Sequence, residues 1–269
     1  MTTRARTIAI AAALAAGGAC TPGPVDVATI APNSLASQMV GHWMLDEMAG
    51  ATAHDTSGNL RDGAVFSTAP PGPGPSWTWA PGRFGGALHL TGNDQVTVGS
   101  PPFPQATASY TVAAWLLVQS GDFDPPIGAI VSTEAPFGLG WSMNLVLPQP
   151  GVTGPATYSF GYWIGPEPGD FATVRCNCFV WNEWVHVAAV LDLPSSSLVL
   201  YVNGVESDRL TTTTPIMPHQ GTLYLGRWAG TGPGARQIAG TIDDVVIYSR
   251  ALVAEEIALL ATAPAPNPF

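Results

Sequence analysis

The feature that most constrains this chain is a series of short segments in which apolar and polar residues alternate, separated by glycine and proline. Residues 109–119, "SYTVAAWLLVQ", place Tyr110 and Val112 on one side of a strand and Trp115 on the other. The 269 residues include 30 Gly and 26 Pro, which favours many turns and few helices. No strand–helix–strand alternation is present in the sequence, which disfavours a parallel sheet.

Two local sequence patterns predict a tight turn and a helix. Asn203-Gly204 lies between two alternating runs, "SLVLYV" and "VESDRL", and predicts a two-residue type I′ hairpin. Residues 251–261, "ALVAEEIALLA", place apolar side chains on one face and predict one short C-terminal helix. The sequence therefore predicts an all-β protein, a two-sheet antiparallel β-sandwich or jelly roll that ends in a helix.

The beginning of the chain has the pattern of an export signal. Residues 1–19 carry two arginines, then a short apolar run, then small residues up to Cys20. Cys20 in this position resembles the lipidated cysteine of a bacterial lipobox, although ordinary cleavage after Ala19 is the alternative. We expect residues 1–19 to be a signal peptide and residues 20–38 a lipid-anchored, Pro-rich tether.

The remaining boundaries follow from composition. We expect residues 39–262 to form one folded domain and residues 263–269 a disordered tail.

The formal net charge is −10, and the few arginines are scattered, which makes nucleic acid a poor partner. We expect a monomer that is exported and contacts membrane only through its anchor, at the outer membrane or cell surface; otherwise it is periplasmic or secreted.

Two cysteines lie close together in the folded part, in "RCNCF". Cys176 and Cys178 could be two neighbouring thiols or one tight disulfide in a loop. Export makes a disulfide chemically possible, and we favour it. Two thiolates alone are a poor metal site.

Several motifs, in order, resemble the laminin-G-like, concanavalin A-like jelly-roll domains. The chain opens with "HWMLDEMAGATAHDTSGN" and continues with "APGRFGGALHL", "YTVAAWL", "EWVHVAAVLD", "LVLYVNGV" and "LYLGRW". It closes with "GTIDDVVIYSRALVAEEIALL". The similarity covers about residues 41–261, and it implies the jelly-roll fold of that family. One departure is Val253, where the family often has Ser or Thr to cap the last helix.

The resemblance also implies a structural calcium ion between the opening segment and the last strand. Its expected ligands are Asp46, Asp55 and Asp243, together with backbone carbonyls. Hydrogen bonding is the alternative: Asp243 would cap backbone amides or pair with Arg61 or Arg83, and Asp244 would face solvent.

No convincing pair of catalytic carboxylates is present in the sequence. Asp122 and Asp124 have suitable spacing but lie beside two prolines in a predicted loop. We therefore expect no catalytic residues. Four tryptophans near loops are candidates for stacking on a ligand, although packing at the rim is the alternative for each. They are Trp77, Trp79, Trp163 and Trp228.

Together these features predict a cell-surface, non-catalytic binding module that recognises carbohydrate or an extracellular or envelope protein. The alternative is a structural or adhesive envelope protein without sugar binding. A glycosidase or lyase that acts on polysaccharide is the less favoured third possibility.

Overall fold

A computed structural model describes residues 34–68, 75–99, 108–120, 122, 127–134, 140–146, 155–163, 171–212, 221–228 and 237–267. Sixteen strands and one α-helix occur in these ranges. The strands are β1 Met39–Trp43, β2 Thr52–Ala53, β3 Gly63–Ser67, β4 Thr78–Pro81, β5 Gly86–Thr91, β6 Asp94–Thr97, β7 Tyr110–Leu117, β8 Ile127–Glu134, β9 Trp141–Val146, β10 Thr157–Trp163, β11 Phe171–Cys176, β12 Trp184–Asp192, β13 Ser197–Val202, β14 Val205–Thr211, β15 Thr222–Leu225 and β16 Ala239–Tyr248. The helix is α1, Ala254–Leu260.

The strands form two antiparallel sheets. The first sheet has the order β14-β13-β12-β7-β16-β5-β4, and β1 also pairs with β16. The second sheet has the order β11-β10-β9-β8-β15-β6-β3-β2. The core lies between the sheets, as side chains such as Trp43, Leu116 and Phe160 show. The all-β sandwich with one C-terminal helix, predicted from the sequence, is confirmed.

The helix covers the outer face of the first sheet. Ile257 and Leu260 of α1 pack with Tyr248, Val199 and Ala113, which point away from the main core. Strand β7 is therefore buried on both faces over most of its length. The helix begins after Val253, which provides no side-chain cap; the Glu256 carboxylate instead accepts a hydrogen bond from the Val253 amide at 3.1 Å.

The segment after the helix is partly ordered against the sandwich. Ala265 is 3% exposed, and its backbone N–H donates to Asp244 Oδ2 at 3.0 Å. This differs from the disordered tail that we expected for residues 263–269. The prediction was wrong at Ala265 because a buried carboxylate, more than 20 residues back in the chain, needs a donor there.

The chain turns between β13 and β14 at the predicted hairpin. Asn203 and Gly204 have φ values of 50° and 79°, so both central residues are left-handed, as a type I′ turn requires. No helix within the described ranges is long and apolar enough to span a bilayer.

Candidate functional site: the outer face of the second sheet

One face of the second sheet supplies a continuous apolar row to the core. Its members are paired directly across neighbouring strands, and all are buried. They are Val65, Val96, Leu225, Val131, Met143, Phe160 and Val174. Because neighbours in a strand point to opposite faces, the adjacent residues form a second row on the outside of the sheet.

That outer row is small and rich in hydroxyl groups. Its members are also direct cross-strand partners, from β3 at one end to β11 at the other. They are Ala64, Thr97, Tyr224, Ser132, Ser142, Gly161 and Thr173. Ser132, at the centre of the row, is fully buried, whereas Ala64, Thr97, Ser142 and Thr173 are partly or fully exposed. Hydroxyl groups both donate and accept hydrogen bonds. A polar ligand could therefore lie across this face.

A network of amide, hydroxyl and guanidinium groups is centred near the middle of the outer row. We call Gln95, Thr97, Ser132, Tyr224, Arg227 and Gln237 the Arg227 cluster. Arg227 Nη1 donates to Gln95 Oε1 at 2.8 Å, and the guanidinium carbon lies 5.0 Å from the centre of the Tyr224 ring. Ser132 Oγ donates to the Arg227 carbonyl at 2.6 Å.

The amides of the cluster complete the network. Gln95 Nε2 donates to Thr97 Oγ1 at 3.0 Å, and Gln237 Nε2 approaches Gln95 Oε1 at 3.4 Å. Gln95 and Gln237 are 1% and 3% exposed. Their hydrogen bonds hold the acceptor for Arg227 in a fixed position, so a buried polar network preorganises the guanidinium, which is itself only half-buried.

Gly226 determines where Arg227 lies. In β15, Leu223 and Leu225 enter the core and Tyr224 points outward. Gly226 then adopts φ +79°, and a Cβ there would collide with the Leu90 side chain. Only glycine combines this backbone conformation with the close packing. The turn brings the guanidinium of Arg227 over the ring of Tyr224.

The charge on Arg227 has no counter-ion among the described residues. Its Nε is buried and has no hydrogen-bond partner there. Arg209 and Arg250, by contrast, pair with Glu206 and Glu256 at 2.5 and 2.7 Å. A half-buried cation that is held only by an amide and a π face can accept an anionic or strongly polar partner.

Two aromatic side chains flank the cluster and are accessible. Phe66 pairs with Gln95 across β3 and β6 and is 43% exposed. Trp228 follows Arg227 and is 36% exposed. Exposed aromatic faces beside fixed polar groups allow a ligand to stack and to form hydrogen bonds together.

The four tryptophans that the sequence offered as ligand-stacking candidates occupy different environments in the structure. Trp228 lies beside the Arg227 cluster, and the side chain of Trp163 is outside the described residues. Trp77 and Trp79, at the edge of the first sheet, pack against each other at 6.1 Å and against the core. Trp79 Nε1 also donates to the Gly50 carbonyl at 3.0 Å. Packing thus accounts for this pair.

Sequence analysis missed most of this face. It did not select Phe66, Gln95, Tyr224, Arg227 or Gln237. The available signal was Tyr224 between two buried leucines, followed by Gly-Arg-Trp, a polar and aromatic sequence at the end of an amphipathic strand.

Asp244 is accommodated by buried hydrogen bonds at a β-bulge. The pairing of β16 with β7 shifts between Asp243 and Val246, and Asp244 has φ 46°. Its Oδ1 lies 2.6 Å from His42 Nε2, and its Oδ2 accepts the amide of Ala265. Asp244 is 4% exposed, so the alternative that placed it on the solvent face is wrong.

Asp243 and Asp46 approach the same loop, between β4 and β5. Asp243 Oδ2 accepts the Phe84 amide at 3.0 Å, and Asp46 Oδ1 accepts the Gly86 amide. Asp243 Oδ1 is buried and has no partner among the described residues. Burial raises the pKa of Asp243 to about 7, because the charged form loses hydration. Arg83 does not pair with it, since its guanidinium stacks on Trp115 at 4.8 Å.

Asp55 organises a different loop. Its Oδ1 accepts the amides of His42 and Ser57, and its Oδ2 accepts the amide of Arg61, at 2.9 to 3.0 Å. Within the part of the chain that the structure describes, no three His, Cys, Asp or Glu side chains are grouped closely enough to hold a metal. Both oxygens of Asp55 thus accept backbone amides, whereas Asp243 Oδ1 has no partner among the described residues.

The other predicted site residues are placed as follows. The Sγ atoms of Cys176 and Cys178 are 1.93 Å apart, a disulfide distance. Asp122 Oδ2 accepts the Gln119 amide at 2.8 Å and closes a turn. Cys20 and Asp124 lie outside the described residues.

A sequence model of the concanavalin A-like lectin/glucanases superfamily, of the laminin-G type, matches residues 90–258. This match covers more than half of the 269 residues, and the chain belongs to this family. The resemblance stated from the motifs is therefore confirmed. No curated protein matches the chain significantly.

Solved structures with the same fold include carbohydrate-bound domains. Domain 4 of AbnA, an extracellular arabinanase of Geobacillus stearothermophilus solved with arabinotriose, has 19% identity and a TM-score of 0.63, with 84% of this chain and 98% of that chain covered. The ligand-binding domain of botulinum neurotoxin serotype D, solved with N-acetylneuraminic acid, has 13% identity and a TM-score of 0.59 over 84% of this chain and 51% of that one.

A third neighbour is the binding domain of Paraclostridial Mosquitocidal Protein 1, with 16% identity, a TM-score of 0.61, and 84% and 52% of the two chains covered. The chain spans about half the length of these toxin binding domains. At these identities the likeness establishes the fold alone.

Proposed function

We propose that this protein is an exported, non-catalytic module that binds carbohydrate on the outer face of the second sheet. The observation that carries the proposal is the Arg227 cluster, in which buried amides fix a half-buried guanidinium near two exposed aromatic residues: Phe66, which pairs with Gln95, and Trp228, which follows Arg227 in the chain. A sugar ring offers an apolar face for stacking and hydroxyl groups for hydrogen bonds, and this surface supplies partners for both. The glycans bound by two structural neighbours support the assignment.

The test is retention of the full chain on a glycan array, followed by titration of any glycan that is retained. We expect Tyr224→Ala and Trp228→Ala to lower affinity by at least tenfold, since each removes a ring from the face. Trp79→Ala is the matched control, because that ring lies at the edge of the first sheet. Loss of binding in Trp79→Ala alone would place the site on the first sheet and overturn the proposal.

A structural or adhesive envelope protein without sugar binding is the alternative outcome. In that case no glycan would be retained, while cross-linking on intact cells would join the chain to one neighbouring protein.

Hydrolysis of polysaccharide is less well supported. Glycosidases of the usual type need two carboxylates that flank the scissile bond. No residue of the outer row or of the Arg227 cluster carries a carboxylate. Turnover on a polysaccharide panel that is abolished at Asp122 or Asp124 would contradict this part of the proposal.

Calcium would serve this module as a structural ion. Asp46 and Asp243 would hold it together with backbone carbonyls, and Asp243 Oδ1, which is buried without a partner in the described part of the chain, would be one of its ligands. The bound ion would neutralise carboxylates that are costly to ionise when buried.

Export and anchoring rest on residues 1–38, which precede the sandwich. We propose that Cys20 is lipidated and that the tether holds the sandwich at a membrane surface. Cells that express the protein and receive labelled palmitate should yield a labelled chain, and Cys20→Ala should abolish the label. An unlabelled chain that is released from the cells would show ordinary cleavage and secretion instead.

A further inference from the structure

We infer that the ligand of the outer face carries a carboxylate, and that Arg227 is the residue that selects it. This inference rests on the proposed function and specifies its substrate class: saccharides that contain an acidic sugar, such as a uronic or sialic acid. The starting observation is a half-buried guanidinium with no ion pair among the described residues, in a protein with 19 acidic and 9 basic residues.

The surroundings of Arg227 differ from those of three other described arginines. Arg209 and Arg250 pair with carboxylates, and Arg83 stacks on the buried ring of Trp115, whereas Arg227 lies at the outer face of the second sheet beside exposed aromatic residues. Within the described part of the chain, the groups that contact Arg227 are neutral: Gln95, Ser132, Tyr224 and Gln237. No carboxylate among them compensates the positive charge, and a ligand anion would do so.

The donors that remain on Arg227 match a carboxylate. A guanidinium has five N–H groups, and the described structure accounts for one of them, the Nη1 bond to Gln95. Nε is enclosed, and one face of the group is covered by Tyr224. The terminal edge formed by Nη1 and Nη2 is left, and two parallel N–H donors there suit the two oxygens of a carboxylate.

The surroundings favour a saccharide acid over a free anion. Trp228 and Phe66 flank the cluster, and the hydroxyl row extends from it along β8 to β11. An inorganic anion would use none of these groups. An acidic sugar would place its carboxylate on Arg227 while its ring and its neighbours contact the aromatic and hydroxyl surface.

The experiment compares matched pairs of ligands with the full chain. The probes are galacturonic acid oligomers and their methyl esters, and sialyllactose and lactose, each titrated by calorimetry after an array screen. We expect at least tenfold tighter binding of the acidic member of a pair, because a charge-assisted bond to a carboxylate is lost in the neutral one. Sulfated oligosaccharides serve as an anion control and should bind less tightly than the carboxylates.

Variants assign the effect to Arg227. Arg227→Gln should remove the preference for the acidic member, and Arg227→Lys should reduce it, because lysine keeps the charge but not the two parallel donors. Arg175→Gln is the matched control: Arg175 is exposed on the same face at the edge strand β11, and its loss should leave the preference intact. If Arg227→Gln does not fold, Arg227→Lys carries the test.

The outcomes separate this inference from the proposed function. Binding of neutral glycans that depends on Tyr224 but not on Arg227 would overturn the acidic ligand and leave the carbohydrate module standing. An equal loss of preference in Arg175→Gln would show non-specific attraction and would also overturn it. Absence of binding to every glycan would overturn both.

Discussion

At the scale of single residues, Asp244 joins three parts of the chain that are distant in sequence. Its carboxylate binds His42 in β1 and the amide of Ala265, and its own backbone is at a bulge in β16. Its left-handed conformation is one that Asp and Asn tolerate better than most residues. A buried carboxylate is acceptable here because both of its oxygens have partners.

Substitution of Asp244 tests this account. We expect Asp244→Ala to lower the free energy of unfolding by about 2–6 kcal/mol, because His42 and the Ala265 amide both lose their acceptor inside the protein, at about 1–3 kcal/mol each. Asp244→Asn keeps an oxygen and the backbone conformation and should cost less. Glu206→Gln, which breaks an exposed pair with Arg209, should cost less than about 1 kcal/mol. Urea unfolding measures all three, and a cost for Asp244→Ala as small as that for Glu206→Gln would contradict the account.

His186 gives stability a pH dependence of known sign. It is 2% exposed and lies 5.3 Å from the Trp115 ring, and burial lowers its pKa from 6.5 to about 4. The unfolded chain therefore binds a proton at this residue between pH 6.5 and 4, while the folded protein does not. Above pH 6.5 His186 is neutral in both states and does not reduce the free energy of unfolding. As the pH falls from 6.5 toward 4, proton uptake by the unfolded chain lowers that free energy.

Replacement of His186 isolates that contribution. The difference in unfolding free energy between the wild type and His186→Leu should change between pH 7 and pH 4, with the wild type losing stability relative to the variant on acidification. His186→Gln, which does not titrate either, should show the same change. Urea denaturation at several pH values measures it, and a difference that is constant with pH in both variants would refute the assignment.

At the scale of elements, the hairpin between β13 and β14 also contacts the helix. A Cβ on Gly204 would lie 3.1 Å from Ala258 Cα and from Ala261 Cβ, whereas a Cβ on Gly50, with nearly the same φ, would meet nothing within 4 Å. Gly204→Ala and Gly50→Ala should share a conformational cost of about 1–2 kcal/mol. Gly204→Ala should cost more, because it also displaces the helix. Equal melting temperatures for the two variants would show that the helix adjusts freely.

Local patterns in the sequence predict individual helices, strands and turns better than they predict side-chain contacts between distant elements. The Asn203-Gly204 turn, the helix and the alternation in β7 each depend on residues within a short window, so local patterns were sufficient. Arg227 and Gln95 are 132 positions apart, and His42 and Asp244 are 202 apart. Their contacts depend on the register of several strands and on one bulge, which no local pattern specifies. For this reason the sequence predicted the sandwich but missed the Arg227 cluster.

At the scale of the whole molecule, the first and last strands, β1 and β16, are hydrogen-bonded to each other, and an ion near their ends would reinforce that pairing. Asp46 follows β1, Asp243 lies in β16, and both carboxylates bind amides of the loop between β4 and β5. A calcium ion at Asp46 and Asp243 would connect three separated segments. An ion that binds only the folded state stabilises it by about 2.7 kcal/mol at a hundredfold excess over its dissociation constant.

The melting temperature of the full chain, in excess calcium and then in excess chelator, tests this connection. We expect a fall on chelation that disappears in Asp243→Asn and in Asp46→Asn. Asp55→Asn is the control: it weakens the acceptor of three backbone amides and should lower the melting temperature equally in both conditions.

The pH dependence of the same measurement gives a second readout. Without calcium, the folded protein holds a proton on Asp243 from pH 3.8 up to about 7, where the unfolded chain does not, so its stability should decrease as the pH rises through that range. Calcium would bind the ionised carboxylate and release that proton, so the decrease should be smaller in its presence. If chelator changes neither the melting temperature nor this slope, the Phe84 amide and the proton on Asp243 account for the buried carboxylate. The pairing of β1 with β16 and the contact of Asp244 with His42 then hold the chain ends without an ion.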